Sequence, residues 1–439
     1  MTVTKLKQSK IGTKLNILHL STGDDRGAFF GAYRTHINLQ RFGHKSVMYV
    51  AEKTSNDENV YSASPKKIFA AKLFYKIVRR LLVRRNTDKD RAYLLYGTTF
   101  SVKDITRQVK FKPDLIMVYY VSGFLSDTDI EKIQKHYDAP VAFYMMDAGM
   151  LTGGCHYPWE CTGFMRDCSQ CPALNLPQIN TLAKLKLAER KALYQDMDCL
   201  FLSASKWLDE KHEKSVIRAK LGCEKVLIGI DERTFIPRHR KDAEERIEVK
   251  LPTDKIILFV GAQSLNVPRK GYKFLLDALD ILKNNKEVYD QISILTVGGE
   301  NDTSLDNISH TKLKFIKDKS TYPYLYNLAD AFICTSIEDA GPMMINESMM
   351  SGLPVISFKM GVAQDLIIDN ETGQLAENFT AVALAKSISE FVLKGREGIT
   401  NMKANCRQFA LKSTSAQTQV EEIAKIVEKL SQRAVKNKL

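Results

Sequence analysis

Two acidic residues frame a short loop in the second half of this 439-residue chain. Asp339 and Glu347 lie in TSIEDAGPMMINESMMSGLPVIS (335–357), with a Gly-Pro pair between them and a Gly-x-Pro sequence after them. The residues AFICTS that lead into the loop have the composition of a buried strand, and MMINESMMSG has that of a helix that ends at Gly352. The two carboxylates are therefore predicted to stand on either side of a helix N-terminus.

The start of this predicted helix has the features of an anion site. Gly341 and Pro342 allow a close approach of the backbone, and the free amides of Met343 and Met344 can then donate to a phosphate. Carboxylates on either side of the phosphate can accept from hydroxyls, an arrangement that fits the ribose, diphosphate and sugar of a nucleotide-sugar. The alternative is that Asp339 only stabilises the helix dipole, while Glu347 is a solvated helix residue.

A cationic pair follows another predicted strand. In FVGAQSLNVPRKGYKFLLDAL (259–279) the strand ends near Gly261, a loop carries Arg269 and Lys270, and a helix follows. Positive charge at the carboxyl end of a strand would neutralise diphosphate oxygens and stabilise a departing nucleoside diphosphate. Such pairs are often plain surface residues. Here the pair and the acidic loop follow strands that are predicted to share one sheet.

The elements that must position these residues alternate along the whole chain between short β-rich runs and longer helical patterns, which is typical of parallel α/β layers. We predict two Rossmann-like, doubly wound domains: residues 1–205, residues 206–414, and a C-terminal amphipathic helix (415–439) that packs back on the first domain. The predicted strands are LNILHL, KSVMYV, LIMVYY, VAFYMM and CLFLSAS in the first half, and KVLIGI, KIILFVGA, ISILTVGG, LKFIK, AFICTS and PVISF in the second.

Composition limits the function classes. The net charge is +13, with an isoelectric point near 9.1, which favours an anionic partner such as nucleic acid, acidic phospholipid or a phosphorylated ligand. The chain lacks basic strands interleaved with aromatic residues, a helix-turn-helix pattern and paired histidines of zinc fingers, so no nucleic-acid partner is expected. No apolar run approaches the roughly 18 residues of a membrane span. The N-terminus has no signal-like apolar region, and a cytoplasmic location is expected.

A cysteine cluster occupies a loop of the first half. Its members, spaced C-x5-C-x6-C-x2-C, are Cys155, Cys161, Cys168 and Cys171. Four thiolates could close a tetrahedral structural zinc site, with His156 as a substitute ligand. The alternatives are reduced thiols that lie near one another, or two disulfides formed on oxidation. A structural role is predicted over a catalytic one because four protein ligands leave no open position on the metal.

Residues 66–85 (KKIFAAKLFYKIVRRLLVRR) contain eight Lys or Arg and no acid. On a helix the apolar residues share one face and the cations another, the pattern of a helix that lies in an anionic membrane interface. We therefore consider a peripheral location on the inner face of the plasma membrane. The alternative is a domain helix whose apolar face packs on the sheet and whose basic face is solvated.

Taken together, the motifs resemble those of glycosyltransferase family 4, a group of retaining enzymes with the GT-B fold. The similarity extends over nearly the whole chain and is carried by STGDDRGAFFGAYRTHINLQRFGHKSVMYV, MDAGMLTGGCHYPWECTGFMRDCSQCPAL, SASKWL, IGIDERTF, VGAQSLNVPRKG, YNLADAFICTSIEDAGPMMINESMMSGLPVIS and MGVAQDLIIDNETG.

The resemblance implies a role for each matching position. Arg269 and Lys270 would bind the donor diphosphate, Asp339 would contact the transferred sugar, and Glu347 would hold the ribose. Asp147 matches the aspartate that follows a histidine in many relatives, and it is counted among the catalytic positions. The remaining donor-binding positions are Gly27, in the loop that approaches the phosphates from the first domain, with Gly261, Gly341, Pro342, Met343 and Met344.

The implied reaction moves a sugar from a nucleoside-diphosphate sugar to a saccharide or lipid-linked acceptor in polysaccharide biosynthesis, without a catalytic metal. The literal D-x-D sequences at 127–129 and 196–198 are accordingly interpreted as chance matches. Three departures concern the sugar end: the first acid is Asp339 rather than Glu, Met146 replaces a histidine, and Ala262 replaces a basic residue. They motivate one alternative, a non-catalytic GT-B scaffold or regulatory subunit of a glycosyltransferase complex.

Overall fold

The structure is a computed structural model that describes residues 14–25, 27–82, 88–93, 102–174, 179–261, 267–298, 305, 308–316 and 318–436. Two parallel sheets dominate it. The first has seven strands in the order β3-β2-β1-β4-β5-β6-β7: β1 (Asn16–Gly23), β2 (Lys45–Glu52), β3 (Val60–Ser62), β4 (Leu115–Val118), β5 (Val141–Met145), β6 (Cys199–Ser203) and β7 (Cys223–Lys225).

The second sheet has six strands in the order β10-β9-β8-β11-β12-β13. They are β8 (Ile256–Gly261), β9 (Ile292–Val297), β10 (Ser309–Leu313), β11 (Ala331–Cys334), β12 (Val355–Phe358) and β13 (Gly373–Ala376). All pairings between neighbouring strands in both sheets are parallel. The predicted α/β class with two doubly wound sheets is confirmed.

Helices cover both sheets. In the first part of the chain they are α1 (Gly27–Arg41), α2 (Pro65–Leu82), α3 (Val102–Gln108), α4 (Asp127–Tyr137), α5 (Asn180–Asp196), α6 (Lys206–Lys214) and α7 (Arg240–Ile247). In the second part they are α8 (Tyr272–Leu282), α9 (Lys286–Tyr289), α10 (Met343–Met350), α11 (Ala363–Leu366), α12 (Ala381–Val392), α13 (Gly395–Ser413) and α14 (Ala416–Lys436).

The boundary predicted near residue 205 comes too early. Residues 206–225 form α6 and β7, and β7 pairs with β6 in the first sheet. The predicted strand KVLIGI (225–230) is not formed: only Lys225 belongs to β7, and Ile230 makes an isolated bridge to Ser415. The mismatch has a physical reason, since β7 is the polar, partly exposed edge tripeptide CEK, which carries no hydrophobic signal.

The last helix, α14, packs on the first domain. Its apolar residues Val420, Ile423 and Val427 belong to the same buried cluster as the strands of the first sheet. The second sheet is covered on its two faces by two further clusters. The chain therefore returns to the first domain after completing the second, which leaves the two sheets facing each other across a cleft.

In the described part of the chain, no helix combines the length and the apolar character that a bilayer span requires.

The polar connection between the sheets is held by Arg41 at the end of α1, which contacts Asp231 and Glu232 at 2.5 Å each. Asn38 on the same helix donates to the carbonyl oxygen of Gly229 at 3.1 Å. Helix α1 thus contacts the polypeptide that leads into the second domain.

Candidate functional site

The predicted site residues meet at the point where strand order reverses in each sheet. In the first sheet β1 and β4 are neighbours, and in the second β8 and β11 are neighbours, so the connections leave these pairs in opposite directions. Ligands of open α/β sheets bind at the carboxyl ends of strands beside such switch points. Gly27 opens α1 after β1, Asp147 follows β5, Arg269 and Lys270 follow β8, and Asp339 follows β11.

The cationic pair lies on a tight turn that is bonded to the acidic loop. Residues Pro268–Lys270 form one turn of 3-10 helix, and Gly271 follows with φ of 63°. A side chain at Gly271 would place its Cβ 2.1 Å from the carbonyl oxygen of Thr335. The hydroxyl of Thr335 donates to the carbonyl oxygen of Lys270 at 2.7 Å, and the amide of Ile337 donates to that of Arg269 at 2.9 Å. These backbone contacts determine the separation between the cations and the acid.

Asp339 joins the two cations. Nη1 of Arg269 donates to its Oδ2 at 2.7 Å, and Nζ of Lys270 donates to the same oxygen at 2.6 Å. Burial opposes ionisation of this carboxyl, but Lys270 and Arg269 outweigh it and lower its pKa below the ordinary value. Asp339 is therefore a carboxylate that holds the two cationic groups side by side.

Helix α10 begins directly beyond this cluster. Oδ1 of Asp339 accepts from the amide of Gly341 at 3.2 Å, and Pro342 caps the helix that starts at Met343. The first N–H groups of a helix have no intrahelical acceptor, so the amides of Met343 and Met344 are available to an anion beside the cations. Gly261, the last residue of β8, lies next to the Met344 side chain, because a Cβ at Gly261 would be 3.1 Å from the methyl carbon of Met344.

Glu347 is buried on the same helix, with a side chain that is 2% exposed. Its Oε1 contacts Nη2 of Arg34, on α1 of the first domain, at 2.6 Å. Its Oε2 accepts from the phenols of Tyr326 at 2.5 Å and Tyr322 at 3.1 Å. Nη1 of Arg34 is buried and has no hydrogen-bond partner among the residues that the structure describes. An orphaned guanidinium nitrogen next to a buried carboxylate indicates a site for a polar ligand.

Asp147 lies across the cleft from α10 and is engaged by its own loop. Its Oδ1 accepts from the amide of Gly149 at 2.7 Å, and its Oδ2 lies 2.8 Å from Nδ1 of His156. A Cβ placed on Gly31 of α1 would be 3.2 Å from the methyl of Met343 and 3.5 Å from that of Met146. The Asp147 loop and the N-terminus of α10 therefore face each other across α1.

A structural zinc site at the cysteine cluster stays a prediction. Among the described residues, which include all four cysteines, no group of three or more His, Cys, Asp or Glu side chains could hold a metal ion. The four thiols are free, which also excludes the disulfide alternative in this structure. Burial raises the pKa of Cys168 to about 12 and raises those of Cys155 and Cys171 as well. Burial thus favours the protonated thiol at these three cysteines.

The D-x-D sequence at 127–129 makes structural contacts of its own. Asp127 and Asp129 begin α4, where Asp129 forms a capping box with Ser126. Asp127 is buried against Arg190, Lys186 and Tyr194. These roles agree with their interpretation as chance matches to a metal motif.

Five further side chains contact the predicted site residues, although the sequence analysis assigned none of them a role there. Arg34, Tyr322 and Tyr326 surround Glu347, and Tyr157 stacks on Arg269, whose guanidinium carbon is 4.3 Å from the ring centre. His156, considered from the sequence only as a substitute zinc ligand, contacts Asp147 instead. One sequence signal was available for Arg34, which lies on the apolar-faced helix GAFFGAYRTHINLQR. A buried arginine needs a charged or polar partner, so its position predicts a contact with an acid.

Comparison with known proteins adds a family to this geometry. Residues 240–413 match the family described as "Glycosyl transferases group 1". The chain is 30% identical to spore coat protein SA of Bacillus subtilis over 176 residues, which is 35% of this chain and 45% of that protein. It is 25% identical over 251 residues to the putative colanic acid biosynthesis glycosyl transferase WcaC of Escherichia coli, covering 54% of this chain and 56% of that protein. The chain thus spans about half the length of the curated relatives it matches.

Solved structures resemble the whole chain. Sucrose-phosphate synthase of Thermosynechococcus elongatus has a TM-score of 0.66 at 16% identity, covering 95% of this chain and all of that one. HepE of Anabaena in complex with UDP has a TM-score of 0.61 at 16% identity, covering 94% of this chain and all of that one. At these identities the likeness defines the fold, which is GT-B.

Proposed function

We propose that this chain transfers a sugar from a nucleoside-diphosphate sugar to a saccharide or lipid-linked acceptor in polysaccharide biosynthesis, with retention at the anomeric carbon. One observation carries the proposal: Asp339 holds Arg269 and Lys270 together beside the free amides of α10, while Glu347 lies buried one turn further along that helix. HepE, which shares the fold, is known in complexes with UDP and with UDP-glucose.

The proposed donor diphosphate lies between the cationic pair and the N-terminus of α10. Arg269 can form two parallel hydrogen bonds to phosphate oxygens, Lys270 supplies a point charge, and the amides of Met343 and Met344 add oriented dipoles. Their task is to stabilise the charge that develops on the leaving nucleoside diphosphate. This stabilisation is strongest in the transition state and therefore raises the rate rather than only the affinity.

In this proposal the two acids contact different ends of the donor. Glu347 is assigned to the ribose hydroxyls, because its carboxylate is already fixed by two phenols and Arg34 and offers a rigid acceptor. Asp339 is assigned to the border between diphosphate and transferred sugar. It contacts both cations directly, so its second role is to orient them.

Retention follows if the acceptor attacks from the face that the diphosphate leaves. The bond between the anomeric carbon and the phosphate oxygen breaks, and a bond to the acceptor oxygen forms on the same side. The acceptor's proton passes to a phosphate oxygen of the leaving group, so no protein base is needed. As the resemblance implies, side-chain cations take the place of a catalytic metal ion in this proposal.

The acceptor side of the proposal includes an anionic membrane surface. On α2 the apolar side chains Phe69, Leu73, Phe74 and Ile77 are exposed by 70, 48, 49 and 48%, respectively. The alternative in which this face packs on the sheet therefore does not hold for these four residues. The helix contains no acid, and the described part of its cationic face is exposed (Lys66, Lys67, Lys72, Lys76 and Arg80). Exposed apolar side chains flanked by cations are what an interfacial helix presents to anionic lipid.

The function can be tested by transfer assays with UDP-, GDP- and ADP-sugars and extracts of bacterial lipid-linked saccharides as acceptors. We expect release of nucleoside diphosphate with one donor, an α-linked product from an α-linked donor by NMR, and loss of release in Arg269→Ala. Inverted product stereochemistry would contradict the proposed mechanism. Unchanged turnover in Arg269→Ala would contradict the assignment of the site.

A further inference from the structure

The segment Cys155 to Trp159, within the cysteine-rich loop, reaches both domains. The amides of His156 and Tyr157 both donate to the carbonyl oxygen of Arg91, at 3.1 and 3.3 Å. The backbone of Cys155 forms an isolated antiparallel β-bridge with that of Tyr93. These contacts anchor the segment in the first domain. At its far end the amide of Trp159 donates to Oε1 of Glu338, in the second domain, at 2.9 Å.

His156 is held in a defined position beside Asp147. Its Nδ1 lies 2.8 Å from Oδ2 of Asp147, and its Nε2 lies 3.4 Å from the hydroxyl of Ser122, which follows β4. A side chain at Gly149 would place its Cβ 2.6 Å from the imidazole, so only glycine leaves room for the ring. Fixing one ring nitrogen against a carboxylate orients the other toward a hydroxyl.

A small cavity adjoins this pair. It has a volume of about 10 Å³ and is lined by His156, Asp147 and Tyr120, among others. On the order of 10–15 Å³ is what a single water molecule needs, and a hydroxyl group is of similar size. The Tyr120 ring lies 4.9 Å from the imidazole and 5.2 Å from the ring of Phe29 on α1. The cavity thus lies beside the ends of β4 and β5.

Tyr157 lies close to Arg269 and to several carboxylates. Its ring lies under the guanidinium of Arg269. Burial raises the pKa of its phenol, and the carboxylates of Asp339, Asp147 and Glu338 raise it further, whereas Arg269 lowers it. The Tyr157 side chain therefore lies near charges of both signs, and Asp339 itself contacts the two cations. A diphosphate fits beside the cations, and a ligand that donates hydroxyl hydrogens fits beside the carboxylates.

The backbone of this segment is strained where it meets the second domain. Trp159 has φ of 53°, a left-handed conformation that costs a bulky residue of order 1–3 kcal/mol and is retained mainly at functional sites. The strained residue is the one whose amide bonds Glu338. The segment thus keeps a fixed position between the two domains.

We infer that His156 and Tyr157 form the sugar end of the donor site, where Nε2 of His156 and the hydroxyl of Tyr157 each bond a hydroxyl of the transferred sugar. The inference rests on the proposed function. It gives the cysteine-rich loop a direct part in donor recognition and explains how the site has an imidazole although Met146 precedes Asp147. Asp147 then acts as a positioning residue for His156.

The test compares two affinities by calorimetry. The probes are UDP, GDP and ADP, each with its glucose, galactose, mannose and N-acetylglucosamine conjugates. The comparison uses the nucleoside diphosphate and the sugar conjugate that bind the wild type. We expect His156→Gln and Tyr157→Phe to change the affinity for the nucleoside diphosphate by less than twofold. Both variants should weaken the affinity for the conjugate by at least tenfold. Tyr61→Phe, at the far edge of the first sheet, is the control and should change neither affinity.

The possible results separate the inference from the function on which it rests. Equal losses for both probes would assign the segment a purely structural role, and no loss for either would remove it from the site. Both results overturn the inference, as would a wild type that gains no affinity from any sugar. A wild type that binds no nucleoside diphosphate would instead overturn the proposed function itself.

Discussion

Arg34 of the first domain and Glu347 of the second form a buried ion pair, with 2.6 Å between Nη2 and Oε1. The carboxylate is the one that the resemblance assigns to the donor ribose, so the first domain contacts the donor pocket of the second directly. The guanidinium also packs on Phe30, 4.7 Å from the ring centre, and on Phe235 at 5.5 Å. A single buried cation thus joins the first domain to the carboxylate that is assigned to the ribose.

Arg34→Ala is expected to be strongly destabilising, because it leaves the buried carboxylate of Glu347 without its cation. Breaking a buried pair by removing one partner costs about 3–5 kcal/mol. The urea midpoint of unfolding measures the effect. Arg233→Ala is the matched control, since the Arg233 side chain is 64% exposed and pairs with Asp231 at 3.4 Å; its midpoint should not move. Equal midpoints for the two variants would mean that the Arg34 contact does not hold the domains together.

Asp339→Asn and Glu347→Gln should differ in which kinetic constant they change. Asp339→Asn removes the charge that compensates Arg269 and Lys270, so nucleoside diphosphate should bind as tightly as before or more tightly, while turnover falls about a hundredfold. Glu347→Gln should weaken nucleotide binding by itself. Titration calorimetry and steady-state rates distinguish the two constants. The opposite pattern would show that the two acids have exchanged roles.

The buried network of Asp127 predicts a pH-dependent stability. Burial opposes its ionisation, but Arg190 and Lys186 prevail and lower its pKa from 3.8. Above about pH 4 the carboxyl is ionised in both the folded and the unfolded chain, and its contribution to stability is complete. As pH falls further, the unfolded chain binds the proton before the folded chain does, and this contribution is lost.

Asp127→Asn tests this contribution by urea unfolding at a series of pH values. It should lower stability by about 3–5 kcal/mol at pH 7, because Arg190 is left buried without its carboxylate. The difference between variant and wild type should shrink as pH falls below 4. A difference that stays constant from pH 7 to pH 3 would contradict the linkage.

Membrane binding should depend on the apolar face of α2. Phe69→Glu combined with Phe74→Glu should abolish cosedimentation with vesicles that contain the anionic lipid phosphatidylglycerol, since interfacial binding needs the buried apolar face as well as the cations. Phe315→Glu is the control, because Phe315 is 55% exposed but lies in the second domain. Binding by the wild type should also weaken with added salt. Retention of binding in the double variant would reassign this surface.

Sequence patterns predicted the parts of the fold that depend on local periodicity. The buried strands β1, β2, β4, β5, β6, β8, β9, β11 and β12 coincide with apolar runs, whereas β7 and β10 are polar edge strands. The strand predicted as LKFIK (313–317) was wrong in position, because β10 ends at Leu313 and residues 314–316 form no strand. The acidic loop and α10 were predicted because Gly-Pro and Gly352 mark helix ends in the sequence itself.

The missed residues depend on contacts between segments that are distant in the chain. Arg34 and Glu347 are separated by 313 positions, and nothing in either local sequence announces the other. His156 and Tyr157 were hidden because four nearby cysteines gave a stronger signal for metal than two aromatic residues gave for a ligand. In the folded structure the two aromatic residues lie between the two domains, and this position is what makes them candidates for ligand binding.

The central claim is that Arg269 and Lys270 bind the donor diphosphate. Calorimetry tests it most directly, with UDP, GDP and ADP as ligands and the wild type, Lys270→Ala and Lys273→Ala as proteins. Lys273 is a suitable control, since it follows in α8 and its side chain is 82% exposed. We expect one nucleoside diphosphate to bind the wild type and Lys273→Ala equally. A lost charge-assisted bond of about 1.5–3 kcal/mol should weaken binding to Lys270→Ala roughly 10- to 100-fold. Equal affinities for all three proteins, or no binding to the wild type, would contradict the account.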